Sequence, residues 1–101
     1  MCQINAGQLN ELLNDGTPIN LLDVREAIEF NTLNIGGINI PVNRLAANIN
    51  KLSYNKTDQI IVICSAGIRS KTAQEILTEN GFKNVLNLKG GLLALQKLKQ
   101  L

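Results

Sequence analysis

The chain has no histidine among its 101 residues. That single absence excludes Cys-His and Ser-His nucleophile pairs and every histidine-based metal site, so no metal is expected. Aromatic residues make up only 3% of the chain, so the core must be built from Leu, Ile, Val and Ala. Stacking platforms for single-stranded nucleic acid are therefore not expected. A net charge of +2 gives no argument for a polyanionic partner. Two cysteines, Cys2 and Cys64, form no disulfide framework and no C-x-x-C pair, which suits a reduced, cytoplasmic chain. Met1-Cys2-Gln3-Ile4-Asn5 lacks the basic and apolar regions of a signal peptide, and no apolar run approaches membrane-spanning length.

What is present reads as one globular domain over residues 1–101: 45% apolar, 18% charged, without repeats, linkers or low-complexity segments. Charge is unevenly divided. Residues 1–50 hold two basic and five acidic side chains, and residues 51–101 hold eight basic and three acidic. Any field that attracts anions belongs to the second half.

Leu9, Leu12 and Leu13 at helical spacing predict an amphipathic helix over Ala6–Asn14, stopped by Asp15-Gly16. Ile19–Val24 is short and unalternating, the pattern of a buried strand. Arg25–Asn31 predicts a short helix with Ala27, Ile28 and Phe30 facing inward, and Ile38-Asn39-Ile40 before Pro41 a brief strand. Val42, Leu45, Ala46 and Ile49 again keep helical spacing. Gln59–Cys64 is the clearest strand, with four β-branched residues in succession, and is expected at the centre of a sheet covered on both faces. A helix carrying Ala73, Ile76 and Leu77 runs to Asn80, where Gly81 is a left-handed cap and Phe82 folds back on Leu77. Val85–Leu88 predicts another strand, Lys89-Gly90-Gly91 a turn, and Leu92–Leu98 a last helix. This alternation predicts a parallel α/β sheet with helices on both faces, whose ligand site lies at the carboxyl ends of the strands.

Cys64 stands at that end of the expected central strand, followed by Ser65-Ala66-Gly67-Ile68-Arg69-Ser70. A cysteine that ends an apolar strand is commonly a small core residue. A core position, however, does not call for Ser-Ala-Gly next, residues small enough for the backbone to curl tightly around one point. The curl can aim successive N–H groups at its centre, an anion nest at the positive end of a helix dipole, where a thiolate is favoured over a thiol. Gly67 supplies positive φ at the sharpest point. Arg69 either adds charge to the site or braces the loop through a carboxylate.

The segment Cys64-Ser65-Ala66-Gly67-Ile68-Arg69-Ser70 resembles the active-site loop of the rhodanese-like sulfurtransferases. Leu22-Asp23-Val24-Arg25-Glu26, Glu29-Phe30, Ile38-Asn39-Ile40-Pro41 and Asn87-Leu88-Lys89-Gly90-Gly91 fall in that family's order and spacing, so the resemblance covers essentially the whole chain. It implies a three-layer α/β sandwich around a mainly parallel five-stranded sheet. It also implies a sulfurtransferase: Cys64 takes the outer sulfur of a donor such as thiosulfate, polysulfide or a protein persulfide, then passes it to a thiol or cyanide. The N–H groups of Ser65, Ala66, Gly67, Ile68 and Arg69 would cradle the persulfide sulfur. Asp23, Arg25 and Ser70 would support the loop, although a strand-ending Asp also commonly caps the helix that follows. Glu26 reads as a first-turn helix residue, Lys71 as a solvated lysine or a further attraction for a dianion, and Cys2 as incidental or a resolving thiol.

No cofactor is implied; the expected partners are a small sulfur donor, a thiol acceptor and a sulfur-carrier protein. The chain departs from the family's pattern in three places. Leu33-Asn34-Ile35-Gly36-Gly37 holds no histidine, Ala66 stands where some thiosulfate-using members have a cation, and Leu92-Leu93-Ala94-Leu95 replaces an aromatic. A phosphatase or arsenate reductase would need five residues between its Cys and Arg, and Cys64 and Arg69 enclose four. The rival from another class is a protein-to-protein sulfur-relay or binding module that docks through Lys83, Lys89, Lys97 and Lys99.

Overall fold

A computed structural model describes residues 2–99. In chain order the elements are β1 (Gln3–Ile4), α1 (Ala6–Asn14), β2 (Asn20–Asp23), α2 (Ala27–Thr32), β3 (Ile38–Asn39), α3 (Val42–Leu45), a 3-10 segment (Ala46–Lys51), β4 (Gln59–Ile63), α4 (Ile68–Glu79), β5 (Asn84–Leu88) and α5 (Gly91–Lys99). The five strands form one sheet in the order β1-β5-β4-β2-β3, and every pairing is parallel.

Successive residues of β4 point to opposite faces, and both faces are covered, which is why its sequence shows no alternation. Ile60, Val62 and Cys64 join Leu22, Leu45, Ile49, Ala73, Leu77, Phe82 and Val85 in one apolar layer beneath α3 and α4. Ile61 and Ile63 join Ile4, Leu9, Leu21, Leu88, Leu92 and Leu95 in the other, beneath α1 and α5. Ile60, Ile61, Val62 and Ile63 are fully buried, each stabilising the fold by about 1.5–3 kcal/mol. β4 is thus the central, best-anchored strand, and the loop that follows it starts from a rigid base.

Local signals hold where they were strongest. Asn5 caps α1, its Oδ1 accepting from Gln8 N at 2.8 Å while Gln8 Oε1 accepts from Asn5 N at 3.0 Å. α4 ends as expected: Gly81 has φ +90°, its N–H donates to Thr78 O, and Phe82 N donates to Leu77 O. β1, which no sequence pattern announced, has only two residues, too short to show periodicity, and is held by its pairing with Asn87 and Leu88. One expectation needs correction. α2 buries none of its residues; Ala27 and Ile28 are exposed and Phe30 is half-buried. Its six residues lie over the edge of the site, not over the core. No described helix is long and apolar enough to cross a membrane.

Candidate active site

β4 ends at Ile63, and α4 begins at Ile68 with Gly67 as its N-cap. The four residues between must reverse direction around one point. Gly67 does so at φ +93°, a conformation open to glycine without strain. The turn encloses the Cys64 sulfur, which accepts from Gly67 N at 3.1 Å and Ser70 N at 3.3 Å. Ser70 Oγ lies 3.3 Å from the same sulfur and also donates to Asn87 Oδ1, whose amide nitrogen in turn reaches Gly67 O at 3.3 Å. Among the described residues, the amides of Ser65, Ala66, Ile68 and Arg69 find no backbone acceptor. Those of Ser65, Ile68 and Arg69 remain for an anion, and that of Ala66 is shared with the sulfur.

Cys64 is buried, with 1% of its surface exposed. Burial alone pushes a thiol pKa upward. Here the Ser70 hydroxyl and the amides of Ser70, Gly67 and Ala66 outweigh it, and the pKa of Cys64 falls below the ordinary 9.0. A cysteine that merely filled the core would lack these donors.

Three supports hold the loop. The first is α5, whose amides of Leu92 and Leu93 donate to Cys64 O at 2.9 Å and Ser65 O at 3.0 Å. This contact explains Gly91: it has φ +63°, and a Cβ there would sit 2.5 Å from Cys64 O and collide with Ser65 O. The second is the Ser70–Asn87 chain. The third is Arg69, whose Nη1 and Nη2 grip Glu29 Oε1 at 2.6 Å and Oε2 at 3.0 Å, while Nη2 also reaches Ser65 Oγ at 3.2 Å. Glu29 Oε1 also accepts from Glu26 N, so the carboxylate that starts α2 clamps the Cys64 loop as well. The Arg69 guanidinium, partly opposed by desolvation, holds the Glu29 pKa down to about 2 from 4.5. Of the two roles open to Arg69, the geometry shows the brace.

Asp23 and Arg25 form a buried pair with each other at the carboxyl end of β2, with Arg25 Nη2 2.8 Å from Asp23 Oδ2. Arg25 also donates to Leu33 O at 2.7 Å, and Asp23 Oδ1 accepts the Arg25 amide at 3.0 Å. Asp23 therefore braces backbone beside β4 and does not cap α2; the N-cap position is Glu26. Neither side chain hydrogen-bonds the Cys64 loop. Lys71 is exposed and makes no ion pair among the described residues. Cys2 and Cys64 are both free. Since Gln3 pairs with Asn87 and Val62 also pairs with Asn87, Cys2 lies two strands across and about three residues short of Cys64. At usual sheet spacings that is about 14 Å, beyond direct disulfide reach and against a resolving role for Cys2.

Two residues of the site had no role assigned from sequence. Asn87 was legible in principle, because a polar residue inside the apolar strand Val85–Leu88 needs a buried partner. Glu29 lies 40 residues from Arg69, and no spacing rule connects them.

An all-parallel three-layer α/β sandwich, with a cysteine held in an amide-lined loop after its central strand, defines a class of thiol-dependent proteins. The chain belongs to the rhodanese-like domain family, whose profile matches residues 5–98. It is 32% identical over 91 residues to the "Putative sulfur carrier protein YrkF" of Bacillus subtilis (strain 168), covering 89% of this chain and 48% of that protein. It is 38% identical over 97 residues to a tRNA uridine(34) hydroxylase of Pelagibacter ubique (strain HTCC1062), covering 89% of this chain and 30% of that protein. The chain thus spans half or less of the length of these curated relatives. Among solved structures, a rhodanese-like domain protein from Staphylococcus aureus superposes with a TM-score of 0.83 at 29% identity, over 94% of this chain and 91% of that one. The rhodanese-like domain of an Anabaena protein gives a TM-score of 0.86 at 29% identity, over 97% and 75%.

Proposed function

We propose that this chain is a sulfurtransferase domain that carries sulfane sulfur as a persulfide on Cys64. The observation that supports this most is the Cys64 sulfur itself, buried at the foot of a tight loop yet met by two amides and a hydroxyl. Such a cradle stabilises a thiolate without a general base, which a chain lacking histidine could not provide by imidazole. In the loading step the Cys64 thiolate attacks the sulfane sulfur of a donor R–S–SH. The donor S–S bond breaks, its electron pair leaves with R–S⁻, and Cys64–S–SH remains. With thiosulfate the leaving group would be sulfite. An acceptor thiolate then attacks the outer sulfur and returns Cys64 to the thiolate. The amides of Ser65, Ala66, Ile68 and Arg69, which have no backbone acceptor, would take the charge of the outer sulfur. Asp23 and Arg25 act only by holding the strand beside the loop in place, whereas Ser70 meets the Cys64 sulfur directly through its amide and hydroxyl.

A second reading, transfer between proteins with little small-molecule turnover, is favoured by the rim. Ile28, Ile68 and Leu93 are exposed. Ile28 precedes the Glu29 clamp, Ile68 precedes Arg69, and Leu93 donates its amide to the loop. An apolar collar suits a protein surface better than a hydrated small anion. The similarity to a putative sulfur carrier protein points the same way. The reaction named for the tRNA uridine(34) hydroxylases is not carried over to this chain. A thiolate carrier of this kind works in a reducing compartment, and we place it in the cytoplasm.

Intact-mass spectrometry after polysulfide or thiosulfate treatment tests the reading. Loading should add about 32 Da, one sulfur atom, and the adduct should be lost in Cys64→Ser. A chain that gains no such mass from any donor, or gains it equally in Cys64→Ser, would refute persulfide carriage at this site.

A further inference from the structure

We infer that the Glu29–Arg69 pair makes the mouth of the Cys64 loop a charge filter that rejects dianionic donors such as thiosulfate and admits organic persulfides of low net charge. The inference rests on the sulfurtransferase reading and deepens it by naming the donor class.

Ser65, Ala66, Gly67 and Ile68 are uncharged, so Arg69 is the one cation the loop contributes. Its two terminal nitrogens are both engaged by the Glu29 carboxylate, at 2.6 and 3.0 Å, and the second also meets Ser65 Oγ. With a pKa near 2, Glu29 stays ionised at any working pH, so the pair carries no net charge. Arg25 is committed to Asp23 and Leu33 O, and Arg44 is an exposed side chain on α3. Lys71 on α4 and Lys89, next to the Gly90 that packs against Gly67, are both exposed, where water and salt screen them.

What remains to attract an anion is the amide cradle and the start of α4, together equivalent to roughly half a positive charge. That suits the single charge of one sulfur. Thiosulfate brings two negative charges toward a thiolate that already carries one, and the neutral Glu29–Arg69 pair at the rim offers no cation to offset them. A persulfide whose own charge is offset, such as the zwitterionic cysteamine persulfide, meets none of this penalty. Both Arg69 and Glu29 are about one-third exposed, and Ser65 Oγ ties the pair to the loop that encloses Cys64.

Replacing Glu29 by Gln keeps an acceptor for Arg69 but frees one positive charge. In a Cys2→Ser background, which leaves Cys64 as the sole thiol, kcat/KM would be measured for thiosulfate and for cysteamine persulfide. The ratio of the first to the second should rise about tenfold in Glu29→Gln, the size of one charge acting on a dianion across several ångströms of water-like medium. Glu29→Asp, which restores the charge, should return the ratio toward the parent. High salt should compress the difference. A loop that simply loosened would admit both donors more readily and leave the ratio where it was, and that result would overturn the inference.

Alkylation supplies a readout independent of sulfur transfer. The rate with iodoacetate relative to neutral iodoacetamide should rise about threefold in Glu29→Gln, since iodoacetate carries a single charge. If the alkylation ratio shifts while no donor loads Cys64, the sulfurtransferase reading fails and the donor assignment falls with it. If donors load and neither ratio moves, the charge filter alone is refuted.

Discussion

Removing the Ser70 hydroxyl should raise the Cys64 pKa by about one unit, and the size follows from counting protons. Ser70 Oγ sits 3.3 Å from the Cys64 sulfur and also donates to Asn87 Oδ1, yet a hydroxyl has one proton. In the thiol state the S–H can point to Ser70 Oγ while the Ser70 proton goes to Asn87. On ionisation the sulfur can only accept, so the hydroxyl turns toward it and Asn87 Oδ1 loses its donor. The gain is a charge-assisted bond of about 1.5–3 kcal/mol, and the loss is a neutral bond of about 1 kcal/mol. The difference, about 1 kcal/mol or somewhat more, corresponds to about one pKa unit. Asn87→Leu should act in the opposite direction on the thiol, lowering its pKa, because the hydroxyl is then uncontested. The assay is the pH dependence of iodoacetamide alkylation in a Cys2→Ser background. A linked effect on stability should accompany it. The folded-state pKa of Cys64 lies below its unfolded value near 9.0, so this contribution is fully present above pH 9 and is lost as pH falls through the folded value. The urea midpoint should therefore climb with pH toward 9 in the parent and climb less in Ser70→Ala. An unchanged or lowered alkylation midpoint in Ser70→Ala would refute the claim that this hydroxyl supports the thiolate.

Gly91→Ala should destabilise the fold by about 3 kcal/mol in urea titrations, combining left-handed backbone strain with loss of the two α5-to-loop hydrogen bonds. It should also weaken persulfide loading, because the carbonyls of Cys64 and Ser65 must move; a wild-type midpoint would contradict the close approach. Asp23→Ala leaves Arg25 buried without its carboxylate and should cost about 3–5 kcal/mol, with a second change, Arg25→Met, restoring part of the loss. A double variant no more stable than Asp23→Ala would mean that the pair's geometry, not the stranded charge, is what β2 needs.

The parts of the fold that were readable before the structure are those where one signal sufficed. Gln59–Ile63 reads as a central strand because both of its faces are buried, and Leu77 to Phe82 reads as a helix end because only glycine takes φ +90° freely at Gly81. The inward face assigned to Ala27 and Ile28 was wrong for a physical reason. A six-residue helix can be fixed by its ends, here by Glu26 and Glu29, and need not bury an apolar stripe. The same limit governs the site. Cys64 and Gly67 announce a tight anion-binding turn by local spacing, whereas Glu29, Asn87 and Gly91 come to the loop from α2, β5 and α5 through contacts between distant segments. Periodicity and motif spacing report what neighbours in sequence do, so the cradle was legible and its supports were not.

That division bears on how the thiol is tuned. The groups touching the sulfur, two amides and one hydroxyl, lie within six residues of Cys64 and favour the charged form. Alone they would belong to a flexible surface turn, free to point at water. Each distant support removes one such freedom. α5 fixes the carbonyls of Cys64 and Ser65, so their amide planes cannot rotate away. Asn87 fixes Ser70 and Gly67 from beneath, and Glu29 fixes Arg69 and Ser65 from above. Donors already aimed at the sulfur need no reorganisation when it gains charge, so their effect exceeds the desolvation that burial imposes. In this chain, activation of a thiol without histidine is thus a property of the packing around the loop as much as of the loop sequence. Transplanting Cys64–Ser70 alone into an unrelated turn should yield a cysteine with an ordinary pKa.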